Sequence, residues 1–257
     1  MPLSTPSKAS QTPQWRELVV TPSTPSNIIT PSSSLPSRKP ETPDFQLSVA
    51  KASTPSSLVL PEMSPRYQAL KKHADCVIEI SPESHAYVAE FARRIGGSNP
   101  SSASSASAPL PKPEPSGAAL ILDYGPSNTI PTSTLRGIRE HKLVSPFAYP
   151  GQVDISADVD FTALAEAAIN ASPGVEIHGP VEQGEWLKVM GIQERANMLI
   201  KKVQNGDEEA AKRIKSAVER LVERGGGAMG KLYKVMAIVP EAGGKRRPVG
   251  FGGDVVG

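Results

Sequence analysis

Apolar and polar positions settle into readable periods only in parts of this chain. Tyr87, Val88, Phe91 and Ile95 share one helical face; Ser81 can cap that helix, Pro82 opens it, Glu83 suits its positive end and Gly96-Gly97 stops it. A second helix runs from Asp160 to Ala171 and closes at Ser172-Pro173-Gly174. Glu182 to Met190 reads as helical, and Ile192, Ala196, Leu199, Ile200 and Val203 space cleanly for another helix. Asp207 caps the last, whose Ile214, Val218, Leu221 and Val222 face one way. Strands are expected at Trp15–Val20, Cys76–Ile80, Ala118–Leu122, Val175–His178 and Leu232–Val239. Strands separated by helices predict an α/β fold with a mostly parallel sheet, and so few strands read as part of a sheet.

Composition divides the chain further. Residues 1–65 hold 12 Pro, 14 Ser and 7 Thr, and repeat Ser-Thr-Pro-Ser at 4–7, 23–26 and 53–56. Each proline fixes its own φ and biases the preceding residue away from helix. Such a tract buries too little apolar surface to offset chain entropy, so 1–65 is expected to be disordered around the short strand at 15–20. The Ser/Ala/Pro run at 98–116 reads as a second disordered insertion, and 241–257 as a flexible tail. Between them lie a strand-helix unit at 66–97 and a denser region at 117–240.

Charge and cysteine count exclude several classes. With 28 basic against 26 acidic residues, the formal charge of +2 gives no electrostatic case for nucleic acid. Cys76 is the single cysteine, so no internal disulfide can form and a reducing compartment is expected. The scattered histidines His73, His85, His141 and His178, with no Cys-x-x-Cys pair, argue against a metal site. No apolar run approaches the roughly 20 residues that span a bilayer. Met1 to Gln14 is rich in Ser and Thr and lacks acids, but its prolines make it a weak transit signal.

Two stretches could carry chemistry. Gly225-Gly226-Gly227-Ala228-Met229-Gly230 has the spacing of a dinucleotide loop, but it follows a charged helix and precedes a strand. The fingerprint requires the reverse order, so a helix stop and loop is the better reading. Every glycine lies at or beyond Gly96, which leaves no glycine-rich phosphate loop in the first 95 residues. The informative block is Asp123 to Phe161. Asp123-Tyr124-Gly125 ends a buried strand, at the edge where open α/β sheets bind ligands. A connection this long, rich in aromatic and apolar residues, is expected to be ordered and functional. Arg136 could clamp a carboxylate and His141 could serve as a base, or His141 could be an ordinary hydrogen-bonded loop residue. Asp154, Asp158 and Asp160 could attract a cationic side chain, while Asp158 or Asp160 could equally be a helix cap. Their spacing does not fit a calcium loop, and Trp186 and Met190 read most simply as core.

At this block the sequence resembles a known family. Asp123-Tyr124-Gly125, Thr134-Leu135-Arg136 with His141, and Pro150-Gly151 followed by Asp154-Ile155-Ser156-Ala157-Asp158-Val159-Asp160-Phe161 together resemble the mitochondrial complex I assembly factor 7 family. Trp15-Arg16-Glu17, Ile78-Glu79-Ile80-Ser81-Pro82, Gly179-Pro180, Met190-Gly191-Ile192 and the Leu232–Pro240 strand add to the likeness. The resemblance implies a partial class I methyltransferase sheet, methyl transfer from S-adenosyl-L-methionine to an arginine of a complex I core subunit, and a mitochondrial matrix location. It also implies that the chain corresponds to the C-terminal half of such an enzyme, without the glycine-rich cofactor loop and inactive by itself. The alternative is a catalytically incomplete piece acting at most as a binding module. Arginine methylation needs carboxylates to orient the guanidinium, since positioning supplies much of the rate. Asp123 and Asp154 are the expected carboxylates, with Arg136 and His141 shaping the loop beside them.

Overall fold

The computed structural model describes residues 13–23, 45–74, 76–97, 112, 114–127, 130, 132–203, 207–225, 227–243, 245 and 247–252. The expected disorder of 1–12, 24–44 and 98–111 falls outside them. The chain divides into two compact units, residues 1–80 with 130–158, and residues 81–129 with 159–257. The expected strand-helix unit at 66–97 is therefore split between the two.

In the first unit, β1 (Leu18–Pro22) pairs antiparallel with β2 (Phe45–Val49), placing Leu18 opposite Val49. Trp15 is buried just before β1, and the Thr21 and Ser48 hydroxyls meet across the pair at 2.6 Å. Two short helices follow, α1 (Pro55–Val59) and α2 (Pro65–Leu70), with a 3-10 turn at Leu60–Met63. The Pro/Ser-rich composition does not keep residues 45–65 unstructured, because its prolines fall at first-turn positions behind capping hydroxyls. Thr54 Oγ1 accepts from Ser57 N–H while Ser57 Oγ accepts from Thr54 N–H, and Ser64 Oγ accepts from Arg66 N–H. The strand expected at Cys76–Ile80 does not form, since the stretch joins no ladder among the described residues.

The long connection after Asp123 contains a sheet of its own. Strands β4 (Arg136–Arg139), β5 (Lys142–Val144) and β6 (Asp154–Ser156) form an antiparallel sheet in the order β5-β4-β6, with Gly137 opposite both Val144 and Ile155.

The second unit is built on strands β3 (Ala119–Tyr124), β7 (Val175–Glu182) and β8 (Tyr233–Pro240), in the order β3-β8-β7. Both neighbours are antiparallel to β8, which corrects the expected mostly parallel sheet. β3 and β7 run the same way, and the last strand enters between them reversed. β8 is accordingly the most apolar strand, with Val235, Met236 and Ile238 fully buried.

Helices α3 (Pro82–Gly96) and α4 (Phe161–Ala171) cover one sheet face. Val88, Ala92 and Ile95 of α3 and Phe161, Leu164 and Ala168 of α4 close a core on Met236 and Ile238. Ser81 Oγ and Asp160 Oδ1 cap them by accepting from Ser84 and Ala163 N–H, at 3.3 and 2.9 Å. A β-carbon on Gly174 would lie 2.2 Å from the Gly96 carbonyl oxygen, so these two turns touch through bare backbone. Helices α5 (Gln183–Val189), α6 (Ile192–Lys202), α7 (Glu208–Val222) and the short α8 (Met229–Leu232) complete the unit. On the other sheet face Phe251 is 8% exposed and packs with Val235, Ala237, Val181 and Trp186. The stretch 247–252 is thus anchored by one aromatic side chain, where a flexible tail was expected.

Candidate functional site

In the first unit the Glu79 carboxylate gathers the turn that leads into β4. Its Oε1 accepts from the backbone N–H groups of Thr134 and Leu135 at 2.8 and 3.0 Å and from the Ser133 hydroxyl at 3.2 Å. Its Oε2 accepts from the Thr134 hydroxyl. That hydroxyl in turn accepts from the Asp158 N–H at 2.8 Å, so three segments distant in sequence are tied at one threonine. Arg136, one residue into the same strand, donates to Asp158 Oδ1 at 2.7 Å and to the Thr134 carbonyl at 3.0 Å. The pair is mostly buried, which gives it more weight than a surface ion pair.

Arg136 therefore clamps a carboxylate, as its chemistry suggested, and the carboxylate is one of the chain's own. His141 stands elsewhere. Arg139 pairs with Lys142, leaving Glu140 and His141 as a two-residue hairpin loop with φ of 51° and 60°. Positive φ at both positions is the signature of the turn that matches strand twist, so His141 is an exposed turn residue. The Arg139 guanidinium lies over the Tyr149 ring at 4.4 Å from its centre. Asp154 sits exposed on β6, opposite Ile138.

In the second unit Asp123 lies near the carboxyl end of β3, and its Oδ1 accepts from the Tyr124 N–H at 2.8 Å. Directly across β8 is Lys234, and across from Lys234 on β7 is Glu182, giving an acid-base-acid row over the three strands. Lys234 is buried, and its ammonium donates to the Lys231 and Leu232 carbonyls. Glu182 is held from outside by Arg224 at 2.9 Å. Next to this row Tyr124 and Tyr233 stack edge to face with centres 5.3 Å apart.

Of the four aspartates considered from sequence, two are committed to the fold: Asp158 to Arg136, and Asp160 to the cap of α4. Asp123 accepts from one backbone N–H through Oδ1 alone, and Asp154 is open to solvent. Burial pushes the Cys76 thiol above its ordinary pKa, which disfavours a thiolate nucleophile at neutral pH. No three His, Cys, Asp or Glu side chains converge on a metal position among the described residues, and no described helix is long and apolar enough to cross a membrane.

Among the described glycines of the run after the charged helix, Gly230 is a packing residue. A β-carbon on Gly230 would lie 2.1 Å from the Val222 carbonyl oxygen, and one on Gly184 2.3 Å from the same atom. Gly230 and Gly184 are small so that α5 and α8 can close on the end of α7. Gly225 and Gly227 face open space, and Gly226 lies outside the described residues.

Sequence reasoning passed over Glu79 and Thr134 as site-shaping residues. Both stood in segments that carried the family likeness, yet Glu79 read as a residue of an expected strand. A carboxylate bonding across 55 positions leaves no trace in local periodicity.

The chain belongs to the family described as "Putative S-adenosyl-L-methionine-dependent methyltransferase", whose model matches residues 1–181. Among curated relatives, it is 32% identical over 163 residues to the protein arginine methyltransferase NDUFAF7, mitochondrial, of Rattus norvegicus, covering 63% of this chain and 32% of the relative. The Xenopus tropicalis protein of the same name is 36% identical over 126 residues, covering 49% and 27%. A solved Burkholderia thailandensis protein bound to S-adenosyl-homocysteine aligns with a TM-score of 0.54 at 23% identity, covering 81% of this chain and 45% of that one. The chain spans about a third of the length of these curated relatives, or less.

Proposed function

We propose that this chain contributes to a mitochondrial protein-arginine N-methyltransferase that modifies an arginine of a respiratory complex I core subunit in the matrix, supporting assembly of that complex. The observation that carries the reading is the family match over residues 1–181; the names of the curated relatives supply arginine and the mitochondrion. The family's methyl donor is S-adenosyl-L-methionine.

What this chain's residues contribute follows from which carboxylates are open. A guanidinium is planar and presents paired N–H donors, so carboxylates hold it best and fix which nitrogen faces the methyl donor. Asp123 and Asp154 remain open to such a role, each in its own unit, because Asp158 and Asp160 are engaged elsewhere. Arg136 acts as a positioning residue for Asp158 and the loop, and His141 as a turn residue. The described glycines of this chain do not offer the cradle that the charged end of the donor needs.

Disrupting the gene and mapping methylarginine on complex I core subunits by mass spectrometry tests the reading. Loss of one methylarginine, restored by the wild-type gene and not by Asp123→Asn, is the expected result. An unchanged methylation pattern would overturn it.

A further inference from the structure

One aromatic side chain fastens the segment that follows β8. Pro248 to Phe251 form a turn closed by the Phe251 N–H, which donates to the Pro248 carbonyl at 3.3 Å. Gly250 takes the third position with a φ of 88°, the place that such turns give to glycine. Among the described residues this is the only hydrogen bond of 247–252, and it lies within the segment. No described ladder ties the segment to the sheet.

The seat beneath is shaped for a ring. β7 shifts register between His178 and Val181, and a β-carbon on Gly179 would lie 2.5 Å from the Val235 carbonyl oxygen and 3.2 Å from Phe251 Cε1. The bare backbone at Gly179 leaves room for the edge of the ring. His178, hydrogen-bonded to Glu176 at 3.1 Å, sets its ring 6.2 Å from that of Phe251. Gly250 presses on Trp186 of α5: a β-carbon there would come 2.5 Å from the indole Cδ1 and 2.7 Å from Nε1.

The closed seat leaves one group unsatisfied. Trp186 Nε1 is buried beside Gly250 and meets no acceptor among the described residues. A buried donor without a partner opposes closure, because water bonds it in the open state. Burial of one aromatic ring favours closure, and no backbone ladder adds to it. Segments held by so few contacts open locally, without the rest of the fold.

The ring covers one rung of the sheet. Val181 and Val235 face each other across β7 and β8 and pack with Phe251. The next rung, Glu182 opposite Lys234, points to the other face and continues to Asp123 on β3.

We propose that residues 247–252 are a latch: Phe251 closes over the Val181–Val235 rung, and its release loosens the Glu182–Lys234 rung beside Asp123. The strap opens on its own, uncovers the Trp186 indole to water, and lets the amino end of β8 fray. The bearing of this on how Asp123 meets a guanidinium rests on the methyltransferase reading; the latch and its test do not.

Solvent exchange of the Trp186 indole N–H and of backbone amides, followed by NMR on the whole chain, reads the strap without substrate or cofactor. Corrected for intrinsic rates, the indole N–H should exchange at least about tenfold faster than the Ile238 amide, and low urea should leave its rate unchanged. Phe251→Ala and Gly250→Ala should each speed it by about tenfold again, and should speed the Lys234 and Val235 amides while leaving Ile238 as it was. Phe251→Leu, which still fills the seat, should return these rates towards the parent. Val249→Ala, at a residue 61% exposed in the same turn, should change none of them. An indole N–H as protected as the Ile238 amide, or one that follows urea as that amide does, would make the segment a fixed part of the core and overturn the latch. Loss of Ile238 protection in both Phe251→Ala and Gly250→Ala would do the same. Release of the indole with Lys234 and Val235 unchanged would overturn the coupling to the rung beside Asp123.

Discussion

The Thr134 N–H donates to the Glu79 carboxylate at 2.8 Å across 55 positions of sequence. Two backbone amides and two hydroxyls converge on this one side chain. Charge-assisted bonds of this kind are stronger than neutral ones, and removing the acceptor leaves half-buried donors unpaired. Glu79→Ala should therefore destabilise the first unit by about 2–3 kcal/mol, and Glu79→Gln, which keeps one acceptor oxygen, by about half that. Urea unfolding followed by Trp15 fluorescence in a Trp186→Phe background reads that unit alone. A Glu79→Ala midpoint indistinguishable from the parent would show the network to be ornamental.

The hairpin loop at Glu140-His141 forces two ordinary L-residues to positive φ. Such backbone costs about 1–2 kcal/mol per residue away from glycine, with Asn tolerating it best. Glu140→Asn with His141→Gly should raise stability by about 1 kcal/mol, since the lost Arg139–Glu140 contact is 3.8 Å long and exposed. A lower melting temperature for the double variant would mean that His141 makes an interaction its turn position does not account for.

Helix ends were legible because they depend on neighbours in sequence. Ser81, Asp160 and Asp207 each accept from the amide three residues on, as capping chemistry requires. The apolar stripe of α4 and the run of β3 also followed from local pattern. The sheet of β4, β5 and β6 did not, since strands of three and four residues are too short to show a period of two. Nor did the direction of β8, because an apolar strand reads alike parallel or antiparallel. Phe251 was missed for a related reason: one aromatic among glycines and prolines looks like tail, yet it fills a pocket against Trp186. That Arg136 pairs with a carboxylate was legible from its chemistry and the choice of Asp158 was not, because several aspartates stood within equal reach in sequence.

The glycines after α7 can be sorted by substitution. Gly230→Ala would drive a methyl to 2.1 Å from the Val222 carbonyl oxygen, where backbone must move. Overpacking of this kind costs about 1–3 kcal/mol or more. Gly225 has nothing within 4 Å of the same position and no positive φ, so Gly225→Ala should be neutral or slightly stabilising. Thermal unfolding of the two variants distinguishes packing glycines from a ligand loop. Equal and small effects at both positions would remove the argument that Gly230 is fixed by close backbone approach.

The same glycines decide what the purified chain can bind. The methionine end of S-adenosyl-L-methionine carries an ammonium, a carboxylate and a sulfonium, and its ribose carries paired hydroxyls. Nucleotide-like ligands of this size are held by backbone N–H groups of a glycine-rich turn after a strand, and by an acid further on. No glycine precedes Gly96 in this sequence, and Gly184 and Gly230 are spent on the Val222 carbonyl. What the chain does offer is an acid-base-acid row at Asp123, Lys234 and Glu182. Lys234 there is turned to the carbonyls of Lys231 and Leu232. Calorimetric titration of the 257-residue chain with S-adenosyl-L-methionine should accordingly give no saturable heat. Stoichiometric binding at micromolar concentration would show that these residues build a cradle without a glycine turn.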